Sequence, residues 1–307
     1  MSENTNENLQ VKEAQVASTE KKPIRVGFIF LSIVPVAALV VIQSLAQMPF
    51  LVLAFVDLMK QSDITDPLEL FTSSPEALAI FNEKYSLWAF LLYSVIGLIV
   101  FGLWYFKGFV KNKQKVKNSE TFSVTGIIAS VLVVVALQFA ITAGFILAYK
   151  IFPNVMENYS QLMESAGIVN NVFLTVVYAI ILGPIIEELC LRGLSYGYLE
   201  KSGIKPIFVI LISGILFGIM HLNLVQGIYA SVLGFILGYI RYKYRTVRFV
   251  ALVHILFNIM GTYGNVLVSK LDLSEGVSLI LGGVSLFVLV FALVLINRDK
   301  KSFKGEA

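Results

Sequence analysis

Long apolar runs recur along almost the whole chain, and they constrain its fold more than any other feature. A helix needs about 20 mainly apolar residues to cross the hydrocarbon core of a bilayer. The candidate runs, of which the sixth is the shortest, are 26–47, 87–106, 122–149, 172–199, 206–222, 228–240, 249–269 and 277–296. We therefore predict an all-α, polytopic membrane helix bundle of about eight transmembrane helices.

The composition argues against a soluble globular protein. Hydrophobic residues make up 57% of the chain and charged residues 14%, whereas soluble domains are about 45–50% apolar and about 25% charged. We predict one transmembrane helical domain over residues 23–300, with no room for a second globular domain. Residues 1–22 are polar and carry mixed charge, so we expect a disordered cytoplasmic tail there rather than a cleavable signal peptide. Residues 301–307 are predicted to form a second cytoplasmic tail.

The basic residues gather in alternate connections between the apolar runs. They precede the first run and follow the second, fourth, sixth and eighth, whereas the intervening connections are acidic or nearly neutral. By the positive-inside rule, both termini are predicted to be cytoplasmic. The net charge of +4 then reflects topology, and we expect no nucleic-acid partner. We expect an integral, multi-pass protein of a bacterial cell membrane, in contact with the lipid bilayer.

Several ionisable residues lie inside the apolar runs. The chain has two histidines, His221 and His254, and each lies in such a run, while a third run carries Glu187, Glu188 and Arg192. A charged side chain at mid-bilayer costs on the order of 2.5–3.5 kcal/mol on insertion scales, so such residues are usually paired or functional. Glu188 and Arg192 are four residues apart and are predicted to pair on one helix face. Glu187 points about 100° away and is available for chemistry.

Two further pairs are spaced one helical turn apart, Phe217 with His221 and His254 with Asn258. If their faces converge on Glu187, the glutamate can act as general base toward a water. A neutral histidine and an asparagine amide can then stabilise an oxyanion. Alternatively, Glu187, His221 and His254 could ligate a zinc ion that holds the water. Both hypotheses predict hydrolysis of an acyl bond inside the membrane.

Small residues at helical spacing predict a close contact between two of the helices. Gly214 and Gly218 are four apart in the fifth run, and Ala230, Gly234 and Gly238 form a stripe in the sixth. Such stripes let helix backbones approach each other in lipid. We interpret them as ordinary packing within the bundle.

Three short motifs resemble, in order, spacing and helix context, those of the CPBP (Abi) family, which includes type II CAAX prenyl endopeptidases and bacteriocin-immunity-like membrane proteins. They are Glu187-Glu188-x-x-x-Arg192, Phe217-x-x-x-His221 and His254-x-x-x-Asn258. The part of the chain that carries the resemblance covers about residues 172–260.

The resemblance implies an eight-helix intramembrane protease whose site opens toward the cytosol. It implies that Glu187 activates water with help from His221, and that His254 and Asn258 stabilise the oxyanion. The residues that it implies support the site are Glu188, Arg192 and Phe217. It leaves open whether the enzyme needs no cofactor or a zinc ion.

The predicted function is therefore an endopeptidase that cuts a membrane-associated or lipidated peptide or protein substrate. One alternative is a non-catalytic bacteriocin self-immunity or scaffold protein. A second is a proton-coupled transporter, because Glu and His also form proton relays in membranes. The sequence shows no inverted repeat of the transporter kind.

The depth of the site residues leads to one further prediction about the seventh helix. Counted from the basic connections at 1.5 Å per residue, Glu187 and His221 lie roughly 20 Å deep. On the same count His254 lies only about 9 Å from Arg248. We therefore predict that the seventh helix continues back into the basic segment 241–248, which would bring the three residues to one level.

Overall fold

Every regular element of the part of the chain that the structure describes is a helix, which confirms the predicted all-α fold. A computed structural model describes residues 23–62, 74–111, 123–165, 176–264, 268 and 270–299. Both predicted tails, residues 1–22 and 301–307, lie outside the described residues.

The helices follow one another with short connections. The α-helices are α1 (Val26–Leu31), α2 (Val34–Ser62), α3 (Ser74–Ile80), α4 (Ser86–Tyr105), α5 (Val124–Ile151), α6 (Pro153–Ser165), α7 (Gly183–Glu188), α8 (Tyr196–Ser202), α9 (Pro206–Ile219), α10 (Leu224–Tyr244), α11 (Val247–Ile259) and α12 (Glu275–Arg298). The π-helical segments are Phe81–Tyr85, Phe106–Val110, Val176–Leu182, Leu189–Ser195 and Met260–Gly264. Each π segment adjoins an α-helix directly, so α and π segments together form longer continuous helices.

Six of the described helical stretches are long and apolar enough to cross a membrane. They are Val26–Gln61, Ser74–Val110, Val124–Ile151, Leu224–Tyr244, Val247–Gly264 and Glu275–Arg298. The fifth predicted run corresponds to α9, which is apolar but shorter. The fourth corresponds to the continuous helix 176–202, which carries the charged motif. These findings establish a multi-pass membrane bundle, while the number of eight crossings stays a prediction.

Contacts between helix ends gather the predicted basic connections at one end of the bundle. The backbone N–H of Arg25, just before α1, donates to the carbonyl of Ser202 at the end of α8, at 2.9 Å. The Arg245 guanidinium, in the turn between α10 and α11, pairs with Glu200 of α8 at 3.0 Å. These three chain positions therefore share one end, as the charge pattern predicts.

The opposite end is marked by two ion pairs. Lys84 pairs with Asp57 of α2, and Lys150 of α5 pairs with Glu275 at the start of α12. The helices therefore alternate between the two ends in the manner that the charge pattern predicts. The side of the membrane on which each end lies stays a prediction.

The predicted close contact between the fifth and sixth runs is confirmed as the packing of α9 on α10. A Cβ atom added to Gly218 would lie 2.4 Å from the carbonyl oxygen of Gly227. One added to Gly234 would lie 2.8 Å from the Cα of Gly214. The two backbones thus approach as closely as glycine permits, which places Phe217 of α9 directly against α10.

The predicted extension of the seventh helix through segment 241–248 is wrong for most of that segment. The sixth helix, α10, instead continues to Tyr244. Arg245 then adopts a left-handed conformation with φ 55° and ψ 21°, which ends that helix, and α11 begins at Val247. The seventh helix therefore starts only two residues earlier than the apolar run suggested.

The depth estimate failed because one basic residue of that segment lies inside the bundle. The Arg241 side chain is buried, and its Nε donates to the carbonyl oxygen of Arg192 at 3.2 Å. Basic residues near the end of an apolar run therefore do not all mark the membrane surface in this protein.

We expect Gly218→Ala to lower the unfolding temperature of the detergent-solubilised protein. The new methyl group would meet the backbone oxygen of Gly227, and overpacking of this kind typically costs about 1–3 kcal/mol. The matched control is Gly283→Ala in α12, where an added Cβ meets nothing within 4 Å and alanine favours the helix. Equal unfolding temperatures of the two variants, measured by thermal denaturation, would contradict the close contact.

Candidate active site

The charged motif lies on an irregular helix. The π segments Val176–Leu182 and Leu189–Ser195 flank α7 on both sides. Pro184 lies in the first turn of α7, and a proline inside a longer helix removes one backbone donor and displaces the chain. Local widening into a π-helix is common at functional sites. This widening sets the directions in which the side chains on either side of α7 point.

Glu188 and Arg192 form the predicted ion pair in the centre of the bundle. Glu188 Oε1 lies 2.9 Å from Arg192 Nη1, and both side chains are fully buried. Arg192 Nη2 also donates to the carbonyl oxygen of Gly234 on α10, at 2.9 Å. The arginine therefore ties the motif helix to α10 as well as holding its glutamate.

His254 connects the two neighbouring glutamates. Its Nδ1 lies 2.9 Å from Glu188 Oε1, and its Nε2 lies 3.7 Å from Glu187 Oε2. The first distance is a hydrogen bond, whereas the second is too long for a direct one. A water lying to one side of that gap could reach both atoms at about 2.8 Å.

The Phe217 ring holds the charged and imidazole groups in place. The guanidinium carbon of Arg192 lies 4.6 Å from the centre of the ring. The imidazoles of His221 and His254 meet the same ring edge-on, with centroid distances of 5.1 and 5.4 Å. Phe217 thus acts through packing, as its place beside His221 in the sequence suggested.

His221 lies at the margin of this cluster. It follows α9 in a turn, is half-buried, and its Nδ1 lies 2.8 Å from the carbonyl oxygen of Phe217. Within the described parts of the chain it makes no ion pair or hydrogen bond with Glu187 or His254. The structure therefore brings His254, rather than His221, next to Glu187.

Asn258 joins α11 to the beginning of the motif helix. Its Nδ2 donates to the carbonyl oxygen of Ala179 at 2.8 Å, and Ala179 belongs to the π segment that precedes α7. The amide therefore braces a non-standard stretch of backbone. Its role in oxyanion stabilisation stays a prediction.

The three predicted zinc ligands are not assembled as a set. Glu187 and His254 approach each other, but His221 turns its Nδ1 to the Phe217 carbonyl. In the described ranges no three His, Cys, Asp or Glu side chains form a group that could hold a metal ion. A catalytic zinc typically has three protein ligands, so this donor set does not fit one. The chemistry below is derived without a metal.

Three tyrosines complete the surroundings of Glu187 and were missed by sequence reasoning. Tyr93, Tyr178 and Tyr229 each lie close enough to interact electrostatically with the Glu187 carboxylate. Tyr178 also stacks on Phe90 with a centroid distance of 4.5 Å. The chain contains 13 tyrosines, and nothing in their spacing selects these three.

All the site residues discussed so far, apart from Tyr93 and Phe90, fall within a stretch that matches a known family. Residues 169–260 match the family model described as Type II CAAX prenyl endopeptidase Rce1-like. The predicted CPBP (CAAX protease) family is confirmed. At the level of the family, the match supports a membrane endopeptidase of the CAAX-protease type. Comparisons with curated proteins and with solved structures found no match.

We expect Arg192→Met to destabilise the protein strongly. The change leaves Glu188 buried without its charged partner, and removing one member of a buried ion pair costs about 3–5 kcal/mol. The unfolding temperature in detergent measures the effect. The control is Arg298→Met, because Arg298 is exposed in the last turn of α12 and surface changes usually stay within about 0.5 kcal/mol. An Arg192→Met protein as stable as this control would show that the pair does not hold the bundle together.

Proposed function

We propose that this protein is an intramembrane endopeptidase in which Glu187 activates the water that attacks a peptide bond. The observation that carries the proposal is the unequal environment of two adjacent glutamates. Glu188 is fully buried and bound to both Arg192 and His254. Glu187 keeps 23% of its side chain exposed and faces the free side of the same imidazole. One carboxylate is thereby committed to structure and the other can accept a proton.

The attacking water lies between Glu187 Oε2 and His254 Nε2. When His254 Nδ1–H donates to Glu188, the Nε2 atom of the neutral ring accepts a hydrogen bond from this water. The second hydrogen of the water points to Glu187. Its oxygen lone pair is then directed at the substrate carbonyl carbon.

Proton transfer accompanies both bond changes. Glu187 takes a proton as the bond between the water oxygen and the carbonyl carbon forms. The same carboxyl group then gives that proton to the leaving nitrogen as the peptide C–N bond breaks. The products are a free carboxyl terminus and a free amino terminus, and Glu187 returns to its ionised form.

The oxyanion falls to His221 and Asn258 in this proposal. His254 is occupied by the two glutamates, whereas the Nε2 of His221 is not used by its contact with the Phe217 carbonyl. A donor aimed at the developing oxyanion stabilises the transition state. This assignment exchanges the roles of the two histidines relative to those that the family resemblance implies.

An apolar cavity next to the site supports a hydrophobic or lipidated substrate. It has a volume of about 680 Å³ and lies between α5, α6, α10 and α12. Tyr229 lines this cavity and is also within electrostatic range of Glu187. A membrane-associated peptide could therefore place an apolar group in the cavity while its backbone reaches the carboxylate.

We expect Glu187→Gln to abolish proteolysis without unfolding the protein. Glutamine cannot accept a proton from water, and loss of a general base typically lowers the rate by about 10²–10⁴-fold. Wild type and variant would be expressed at matched levels in cells lacking the native protein. New peptide termini in the membrane fraction would then be compared by mass spectrometry, and termini specific to the wild type are the expected result.

The control for this experiment is Glu157→Gln on α6, where the exposed carboxylate bonds only with Gln161 among the described hydrogen bonds. This variant should produce the same termini as the wild type. If Glu187→Gln is folded and also yields the wild-type termini, the protease proposal fails. A native phenotype rescued equally by that variant would favour the immunity or scaffold alternative.

We also expect cleavage to survive metal chelation. The site brings together Glu187 and His254 but not His221, which is one ligand fewer than a catalytic zinc typically has. The purified protein would be treated with phenanthroline and assayed on a peptide identified by the terminus comparison. Activity lost on chelation and restored by zinc would contradict the metal-free mechanism.

A further inference from the structure

A pocket with an excess of positive charge lies at the end of the bundle where α8 ends. It has a volume of about 280 Å³, and its walls come from the end of the helix 74–110 and from α8. The residues that characterise it are Lys107, Lys111, Lys201, Phe109 and Glu200. We call it the basic pocket. It lies on the opposite end of α8 from the motif glutamates and takes no part in the proposed proteolysis.

The lysines of the basic pocket lack acidic partners. Lys107 and Lys111 are exposed and pair with no carboxylate within the ranges that the structure describes. Lys201 Nζ lies 4.0 Å from the centre of the Phe109 ring. The carboxylate of the pocket, Glu200, is already paired with Arg245 at 3.0 Å. The pocket therefore carries positive charge that a bound anion could balance.

Aromatic side chains place the pocket at the membrane–water boundary. Trp104 Nε1 donates to Tyr198 Oη at 3.0 Å, and the Tyr198 ring meets Phe109 edge-on at a centroid distance of 5.1 Å. Trp and Tyr are enriched at the depth of the lipid headgroups. The pocket thus opens where phospholipid phosphates are concentrated.

The wall of the pocket is closely packed. A Cβ atom added to Gly197 of α8 would lie 2.5 Å from a ring carbon of Phe109. The ring can therefore approach the α8 backbone only because residue 197 is glycine. This contact holds the chain on both sides of Phe109, including Lys107 and Lys111, at a fixed place beside Lys201.

We propose that the basic pocket binds the headgroup of an anionic phospholipid. Basic pockets between transmembrane helices recognise such headgroups, and each lysine or arginine near the surface contributes to the attraction. A lipid is favoured over a soluble anion because the pocket lies at headgroup depth beside an aromatic belt. The acyl chains would extend along the apolar outer surface of the helix 74–110.

The test compares lipids on the purified full-length protein. Its unfolding temperature in detergent would be titrated with dioleoyl phosphatidylglycerol, with dioleoyl phosphatidylcholine and with inorganic phosphate. We expect phosphatidylglycerol alone to stabilise the wild type. In the triple variant Lys107→Gln/Lys111→Gln/Lys201→Gln, the concentration of phosphatidylglycerol needed for half the effect should rise by at least about tenfold.

Two matched variants keep this test specific. The triple variant Lys60→Gln/Lys205→Gln/Lys270→Gln removes the same charge from exposed positions outside the pocket and should behave as the wild type. Replacing Lys107, Lys111 and Lys201 by arginine keeps the charge and should keep most of the response.

Three results would overturn the proposal. The first is an equal response of the wild type and the glutamine variant of the pocket to phosphatidylglycerol. The second is an equal loss in the control triple variant, which would reveal a general charge effect. The third is stabilisation by inorganic phosphate that phosphatidylglycerol does not exceed, which would make the pocket a site for a soluble anion.

Discussion

The buried ion pair between Glu188 and Arg192 organises the helices around it. A charged guanidinium in an apolar bundle is tolerated only when it is paired and hydrogen-bonded. Arg192 meets this demand with Glu188 and with the carbonyl oxygen of Gly234 on α10. Glu188 in turn binds His254 of α11. One network of polar contacts therefore fixes the relative positions of the motif helix, α10 and α11 at the level of the site.

The close approach of α9 to α10 completes this arrangement. Because glycines line the contact, Phe217 can lie against α10 and also under the Arg192 guanidinium. The same ring packs against His221 and His254. The orientation of both imidazoles thus depends on backbone packing some distance from the carboxylates. Glu187 is the one motif carboxylate that this network leaves partly accessible, which is why the chemistry is assigned to it.

Local patterns predicted much of this structure. The helices, the Glu188–Arg192 pair and the glycine contact all follow from helical periodicity, which relates residues one turn apart on the same segment. The relation between different helices does not follow from it. Which histidine meets Glu187 depends on how α9 and α11 are rotated and on the π-helical widening beside α7. The burial of Arg241 was also unpredictable, because hydropathy treats an arginine at the end of an apolar run as a marker of the surface.

The most direct test of this account is to locate the ordered water in the site. A cryo-electron microscopy map of the protein in a lipid nanodisc, at a resolution that shows bound water, would provide it. The account predicts a water within about 2.6–3.2 Å of both Glu187 Oε2 and His254 Nε2, with His254 Nδ1 on Glu188. A water held instead by Glu187 and His221, or a His254 imidazole turned away from both glutamates, would contradict it.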